Sequence, residues 1–375
     1  RVGHHVYNGS AWVNEGVHHE SEARTNLATH SNGFTDSSWN RTQISTITAN
    51  AGLSPDGTLN ANKVVPDTNL GVHYTYKDLG LTSTNVYSFS VYVASAGYGF
   101  ATVSVGTNGS TDYYAVVVDL SNGTKTATYS AVGQADKSCT VEAVGSFYRV
   151  TISGQGERYY VVGVSNTGTY SSGVYGFNNF NGDGTSGILV YGAQIEAGEL
   201  ASSYIPTSGS TVTRAAETLT VPAANLPYSS TNVSTQMNGK ITYADNNSFN
   251  EAVFLMQFVT GNYLKYGLYT NSSNTGKLYF TQYAQQGGGS KGINTSGSYF
   301  TPGINVPFNL SARHGSTFVN GAEGGSVMSA NTSMTALPNL SSADLLLGHT
   351  FMGTIGKFRM WDEDIGDTGI AIASS

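Results

Sequence analysis

The sequence predicts an all-β protein built as two β-sandwich domains in tandem, and three observations carry that expectation. Apolar and polar side chains alternate along short segments, Gly/Asn turn dipeptides separate those segments, and helical periodicity is almost absent. No stretch of twelve residues places apolar side chains at i, i+3, i+4 and i+7 without glycine or β-branched crowding.

The alternation is clearest in Asn85-Val86-Tyr87-Ser88-Phe89-Ser90-Val91-Tyr92-Val93. There Tyr87, Phe89, Val91 and Val93 form one apolar face, and Val86, Ser88, Ser90 and Tyr92 form the other. Further strands are expected over 100–105, 113–120, 147–153, 158–164 and 187–195. Asn108-Gly109, Asn122-Gly123, Asn181-Gly182 and Asp183-Gly184 supply the positive-φ positions that tight turns need. Strands spaced this way close into a sandwich or jelly roll.

The Pro/Ser/Gly character of Ser203-Tyr204-Ile205-Pro206-Thr207-Ser208-Gly209 marks a domain boundary. A strand over 211–221 enters the second unit, followed by strands over 237–243, 252–259, 263–270, 277–283, 308–313, 345–348 and 353–361. Gln285-Gln286-Gly287-Gly288-Gly289-Ser290 is expected as a loop tip and Asn320-Gly321 as a hairpin turn. The division expected is an N-terminal arm over 1–20, one sandwich over 21–209 and another over 210–375.

Charged residues make up 11% of the chain, against about 25% in an ordinary soluble protein. The polar surface is therefore supplied by hydroxyl and amide groups, which suit uncharged partners such as glycans. A net charge of -7 without a basic stripe argues against nucleic acid. No apolar run reaches the length that crosses a membrane, and no signal peptide is expected. Cys139 is the only cysteine, so a disulfide framework is excluded, consistent with a large protein folded in a reducing cytosol and released by lysis. The opening Arg1-Val2-Gly3-His4-His5 reads as the interior of a longer polypeptide.

Chemistry-bearing motifs are sparse. His4-His5 and His18-His19 could make a metal site only if a hairpin brought the pairs together, because neighbouring strand residues face opposite ways. His73, His314 and His349 stand alone, as packing residues do. Glu142, Glu157, Glu196, Glu199, Glu251 and Glu323 are scattered rather than paired, and no nucleophile elbow, Walker loop or dinucleotide fingerprint occurs, so a non-enzyme is expected. Tyrosines are the main functional lead, since flat rings stack on the C–H faces of sugars. In Tyr113-Tyr114 and Tyr159-Tyr160 one ring faces the core and the other faces outward. The expected carbohydrate-binding residues are Tyr98, Tyr114, Tyr160, Tyr170 and Tyr175.

Several strings resemble bacteriophage virion proteins of the tail and fibre type. They are Glu22-Ala23-Arg24-Thr25-Asn26-Leu27 with Ser38-Trp39, then Ser54-Pro55-Asp56-Gly57-Thr58, then Asp119-Leu120-Ser121-Asn122-Gly123. The most specific runs from Gly182-Asp183-Gly184 through Ile188-Leu189-Val190-Tyr191-Gly192-Ala193-Gln194-Ile195-Glu196 into Ser203-Tyr204-Ile205-Pro206 and Val212-Thr213-Arg214. The resemblance covers most of residues 20 to 220 and implies a carbohydrate-binding-module-like jelly roll. Residues 222 to 370 are similar, more weakly, to a concanavalin A-like or laminin-G-like sandwich, through Phe318-Val319-Asn320-Gly321 and Gly353-Thr354-Ile355-Gly356-Lys357-Phe358. Asp362-Glu363-Asp364-Ile365 departs from the basic segment common at that place in the family.

The resemblance implies host attachment from the virion surface, with host polysaccharide, other virion proteins and copies of the same chain, as a homotrimer, for partners. The alternatives are a decoration protein with a purely structural role, or a polysaccharide depolymerase. Sandwich carbohydrate modules also hold structural calcium, and the expected ligands here are Asn26, Asp183 and Glu196.

Overall fold

The computed structural model describes every residue except 1–3, 8–11, 82–83, 132–133, 135, 172, 245–251, 259–262, 272, 285–288 and 335. The expected loop tip at Gln285-Gln286-Gly287-Gly288 lies outside the described residues. The chain forms two compact units: one comprises Arg24–Arg214, and the other joins Arg1–Ala23 to Ala215–Ser375. One sandwich is thus inserted, in sequence, within the other.

The inserted unit is built on two six-stranded antiparallel sheets, with two further two-stranded pairings beside them. The first runs in the order Lys125–Ser130, Asp112–Asp119, Phe100–Asn108, Tyr159–Ser165, His73–Asp78, Asn40–Thr42. The second runs Ser138–Val144, Phe147–Gln155, Val86–Ala96, Gly187–Ala197, Leu59–Pro66, Ile44–Leu53. Val103, Val105, Val116 and Val162 of the first sheet meet Phe89, Val91, Val150, Ile152 and Val190 of the second in one core. Each such aliphatic side chain contributes about 1.5–3 kcal/mol by leaving water.

Phe89, Val91 and Val93 face inward as their alternation predicts, but Ser88, Ser90 and Tyr92 on the opposite face are buried as well. The sequence near 203–209, expected as a domain boundary, helps to cover that outer face. Ile205 and Thr207 are buried, and Tyr204 packs against Tyr191 at 5.2 Å. The inserted unit closes only at Arg214, where Val212–Arg214 pairs with Arg24–Asn26. The single strand expected over 211–221 is therefore two strands, Val212–Arg214 in one unit and Leu219–Val221 in the other.

The second unit pairs a seven-stranded sheet with a six-stranded one. The larger is ordered His4–Tyr7, Trp12–Glu20, Met352–Trp361, Asn232–Tyr243, Gly303–Gly315, Val319–Glu323, Ser326–Val327. The smaller is ordered Leu219–Val221, Leu345–Leu347, Ala252–Phe258, Tyr263–Tyr269, Leu278–Ala284, Gly289–Asn294. Met237, Ile241, Leu310 and Ala312 pack against Leu264, Tyr266, Leu268 and Phe280 between them.

The segment 1–20, expected as an arm, is corrected by this topology. Trp12–Glu20 lies in the sheet with Val17 opposite Ile355 and His19 opposite Gly353. Asn320-Gly321 is not a hairpin turn but part of the strand Val319–Glu323, and the chain reverses at Gly324-Gly325 instead. Gly321 serves close approach: a Cβ there would meet the Phe280 ring at 2.6 Å. The one α-helix among the described residues, Gly366–Ser374, buries Ile370, and its Asp367 accepts a hydrogen bond from Arg313 Nε at 3.0 Å. An acidic residue in a first turn complements the helix dipole.

Candidate functional site

Strand parity decides which tyrosines can meet a ligand, and it reverses part of the expectation. Tyr114 shares parity with Val116 and Val118, and Tyr160 with Val162 and Val164, so both rings enter the sandwich core. Tyr160 is 2% exposed, sits edge-on to Phe89 at 5.5 Å, and its hydroxyl accepts the Glu157 N–H at 3.2 Å. Burial pushes the Tyr114 phenol up to about 12. The outward members of the two pairs are Tyr113 and Tyr159.

These two belong to an aromatic face on the outside of the first sheet. Register places Tyr76, Val161, Ser104, Ala115 and Tyr129 in one row across five strands. Asp78, Tyr159, Gly106 and Tyr113 form the next row. Small residues thus floor a trough between tyrosine walls. At about 4.8 Å per strand, the walls at Tyr76 and Tyr129 stand roughly 19 Å apart.

The 3-10 turn Val174–Gly176 and its neighbours fill the middle of the trough. Tyr175 meets Tyr74, Tyr113 and Tyr159 at 5.7, 6.1 and 6.1 Å, and Phe177 meets Tyr74 at 5.1 Å. Tyr175 is therefore 7% exposed and has a packing role, contrary to expectation. Its backbone is left-handed, with φ 51, fixed by an N–H donated to Gly109 O at 2.7 Å. Gly176, also left-handed at φ +79, lies so close to the sheet that a Cβ would come within 2.7 Å of Ala115 Cβ. Burial pushes the Tyr113 phenol up to about 12.

Two accessible groups flank this plug. On one side, Tyr76 and Tyr159 meet edge to face at 5.6 Å, and the Arg158 guanidinium stands 4.8 Å over the Tyr159 ring. Arg158 also grips Asp78 through Nε at 3.1 Å and a terminal amine at 2.9 Å. The result is a flat ring beside a flat, charge-balanced donor–acceptor pair. On the other side, Tyr170, 41% exposed as expected, leans on Tyr129 at 5.2 Å. Rings of this kind cover sugar C–H faces while the polar edge takes hydroxyls. Tyr98 lies off this face, half-buried against Phe180 at 5.4 Å, with its hydroxyl accepting the Asp183 N–H at 3.3 Å.

The expected calcium ligands do not converge. Asp183 precedes the strand Gly187–Ala197 and Glu196 lies near its far end, which separates them by about 30 Å at 3.3 Å per residue. Asn26 is close to Glu196 but committed. Its amide donates to Ala193 O at 3.1 Å and Ile205 O at 2.8 Å, and its carbonyl oxygen accepts from Ala28 and Ile195. Glu196 accepts from Ser202 Oγ and Gln194 Nε2, and burial raises its pKa despite those bonds. Asp183 accepts the Thr185 and Ser186 N–H groups, and bonds from Ser186 and Thr185 lower its pKa to about 2.

Neither histidine of the first pair lies directly opposite one of the second. His4–Tyr7 and Trp12–Glu20 do form a hairpin, but its register sets His4 opposite Gly16 and His5 opposite Asn14. His19 is instead stacked on Phe351 at 6.2 Å, with Nε2 2.9 Å from Gly348 O.

No family model matches the sequence, and no curated protein matches it. Solved structures give distant likenesses. A SAP-like pentraxin from Limulus polyphemus is 9% identical over 40% of this chain and 72% of its own, with a TM-score of 0.30. The botulinum neurotoxin serotype D binding domain is 13% identical over 42% of this chain and 39% of its own, at 0.32. Domains LG4-5 of the mouse laminin alpha1 chain are 11% identical over 78% of this chain and 86% of their own, at 0.24.

Proposed function

We propose that the protein is a non-enzymatic adhesin of a bacteriophage tail or fibre, which grips host cell-surface polysaccharide through the Tyr76–Asp78–Arg158–Tyr159 face. The observation that carries this reading is the half-buried ring of Tyr159 beside an exposed, bidentate Arg158–Asp78 pair. A surface poor in charge and rich in hydroxyl and amide groups supports an uncharged ligand. The virion placement rests on the resemblance of residues 20 to 220, and assembly as a homotrimer would multiply weak single-site binding by avidity. Glycoside hydrolysis needs two carboxylates across the substrate, whereas Asp78 on this face is tied to Arg158.

One observation favours the alternative, a decoration protein that binds no glycan: Tyr175 and Phe177 already occupy the middle of the trough. A glycan array separates the two readings. Binding by the native chain that falls at least about tenfold in Tyr159→Ala supports the adhesin. No binding to any host glycan leaves the structural role.

A further inference from the structure

The turn that fills the trough of the inserted unit leaves a polar group beneath it unpaired. Val174–Gly176 packs on the strands Phe100–Asn108 and Asp112–Asp119, and with Phe177 it covers part of their outer face. Thr102 shares that face with Ser104 and Gly106, because Ala101, Val103 and Val105 of the same strand enter the core. Ser104 is satisfied, its hydroxyl donating to Tyr114 O at 2.8 Å. Thr102 is fully buried as well, yet its hydroxyl has no hydrogen-bond partner among the described residues. A buried hydroxyl left unpaired opposes the covered arrangement.

Backbone strain opposes it too. Tyr175 holds a left-handed conformation without being glycine, at φ 51 and ψ 26. Its N–H is tied to Gly109 O, and Tyr113 Oη donates to Ser171 O at 3.4 Å. The bonds from Phe177 N–H to Val174 O and from Asn178 Nδ2 to Thr169 O stay within the segment and would move with it. Gly109 makes room for the ring, since a Cβ there would meet Tyr175 Cε2 at 2.6 Å. Under the turn, register sets Val161, Ser104 and Ala115 in one row and Gly163, Thr102 and Val117 in the next. The pair Tyr76 and Tyr159 borders this floor on one side, and Tyr129 with Tyr170 borders it on the other.

We infer that this turn is a displaceable cover, and that lifting it joins the two flanks into one groove for an internal stretch of a linear, uncharged polysaccharide. The inference rests on the adhesin reading for its ligand and extends it from one sugar contact to a chain. The roughly 19 Å between Tyr76 and Tyr129 spans several sugar rings. A sugar hydroxyl would pair with Thr102 Oγ1, which the turn leaves unpaired, and Tyr159 and Tyr129 would stack on the chain at either end. Arg158 carries its own counter-charge in Asp78, which suits a neutral chain. The cover lowers apparent affinity by the fraction of molecules in which it is lifted.

The test uses the full chain and two measurements: amide exchange without ligand, and binding to dextran, mannan and a linear β-glucan with their oligosaccharides. The Tyr175 N–H is expected to exchange at least about 100-fold faster than the Val116 and Val162 amides, because the cover opens without global unfolding. Thr102→Val keeps the shape and removes the unpaired hydroxyl. It should slow exchange at Tyr175 and yet weaken polysaccharide binding about tenfold. Gly109→Ala presses a methyl against the Tyr175 ring, and should speed exchange and tighten binding about tenfold. Affinity should also grow with oligosaccharide length until both flanks are engaged. Exchange at Tyr175 only through global unfolding would overturn the inference while the Tyr159 face stands. So would native binding that is indifferent to chain length and to both variants. Fast exchange with no polysaccharide bound by the native chain or by Gly109→Ala would overturn the adhesin reading and the groove with it.

Discussion

His314 Nδ1 stands 3.3 Å from Gln282 Oε1 across the interior of the second sandwich, joining a strand of the seven-stranded sheet to one of the six-stranded sheet. Gln282 is oriented by its own amide, which donates to Gly315 O at 3.0 Å and Ala336 O at 3.1 Å. Its oxygen must therefore accept, and His314 must carry its proton on Nδ1. Among the described residues His314 Nε2 has no partner, and burial lowers the pKa to about 3.

The consequence for stability has a definite sign. The unfolded chain takes up a proton at His314 near pH 6.5, and the folded interior refuses it until about pH 3. The stabilisation is complete above pH 6.5 and is lost as pH falls through that window, by up to about 1.4 kcal/mol per pH unit. His314→Gln is expected to flatten the acid limb of a plot of unfolding free energy against pH. An unchanged slope would refute the assignment.

Alkaline titration gives the complementary prediction. Burial raises the phenols of Tyr113, Tyr114 and Tyr204 to about 12. These groups support the fold below pH 10, and that support is lost as pH rises toward 12, because only the unfolded chain ionises them earlier. Near-UV absorbance should show a delayed tyrosinate phase coinciding with unfolding.

Tyr159 and Tyr160 should separate binding from stability. Tyr160→Ala removes a core ring and is expected to cost about 3–5 kcal/mol in denaturant unfolding. Tyr159→Ala, at the partly exposed edge, should leave stability within about 1 kcal/mol of native while weakening glycan binding. Equal effects of the two on unfolding would contradict the parity assignment.

Gly176→Ala tests the plug. The new methyl meets Ala115 Cβ at 2.7 Å on a left-handed backbone, so the turn must lift. The expected outcome is a loss of about 1–3 kcal/mol and faster amide exchange at Tyr175, whose N–H bonds to Gly109 O.

Asn26→Ala tests the correction at the expected calcium ligands. It strips partners from the carbonyls of Ala193 and Ile205 and the amides of Ala28 and Ile195. At about 1–3 kcal/mol for each buried group left unsatisfied, a large drop in thermal stability is expected. Added calcium should restore none of it.

The sheets were legible in the sequence wherever one face is polar, and the tyrosine assignments were not, for one physical reason. In Asp112–Asp119 the residues from Tyr113 to Val118 are all buried, three towards the core and three towards the outer face, where Tyr113 and Ala115 pack under the plug. A strand covered on both sides has no polar alternation to reveal its parity, so Tyr114 read as outward as readily as Tyr113. The proposed binding face was missed because Tyr76 and Asp78, Tyr129, and Arg158 come from three separate stretches brought together only by strand order. The N-terminal strand was missed for a related reason: Val17 pairs with Ile355, more than three hundred residues away, and no local pattern reports such a partner. Cys139 is free and buried, which pushes its thiol up to about 12.

Arg24–Asn26 and Val212–Arg214 lie side by side, with Thr25 Oγ1 2.7 Å from Thr213 Oγ1. A unit whose entry and exit strands are neighbours can be excised at residues 24 and 214 and the ends rejoined by a few residues. The same seam would accept a different module in its place. Such a cassette can be exchanged by recombination while the surrounding scaffold keeps its own hydrophobic interior.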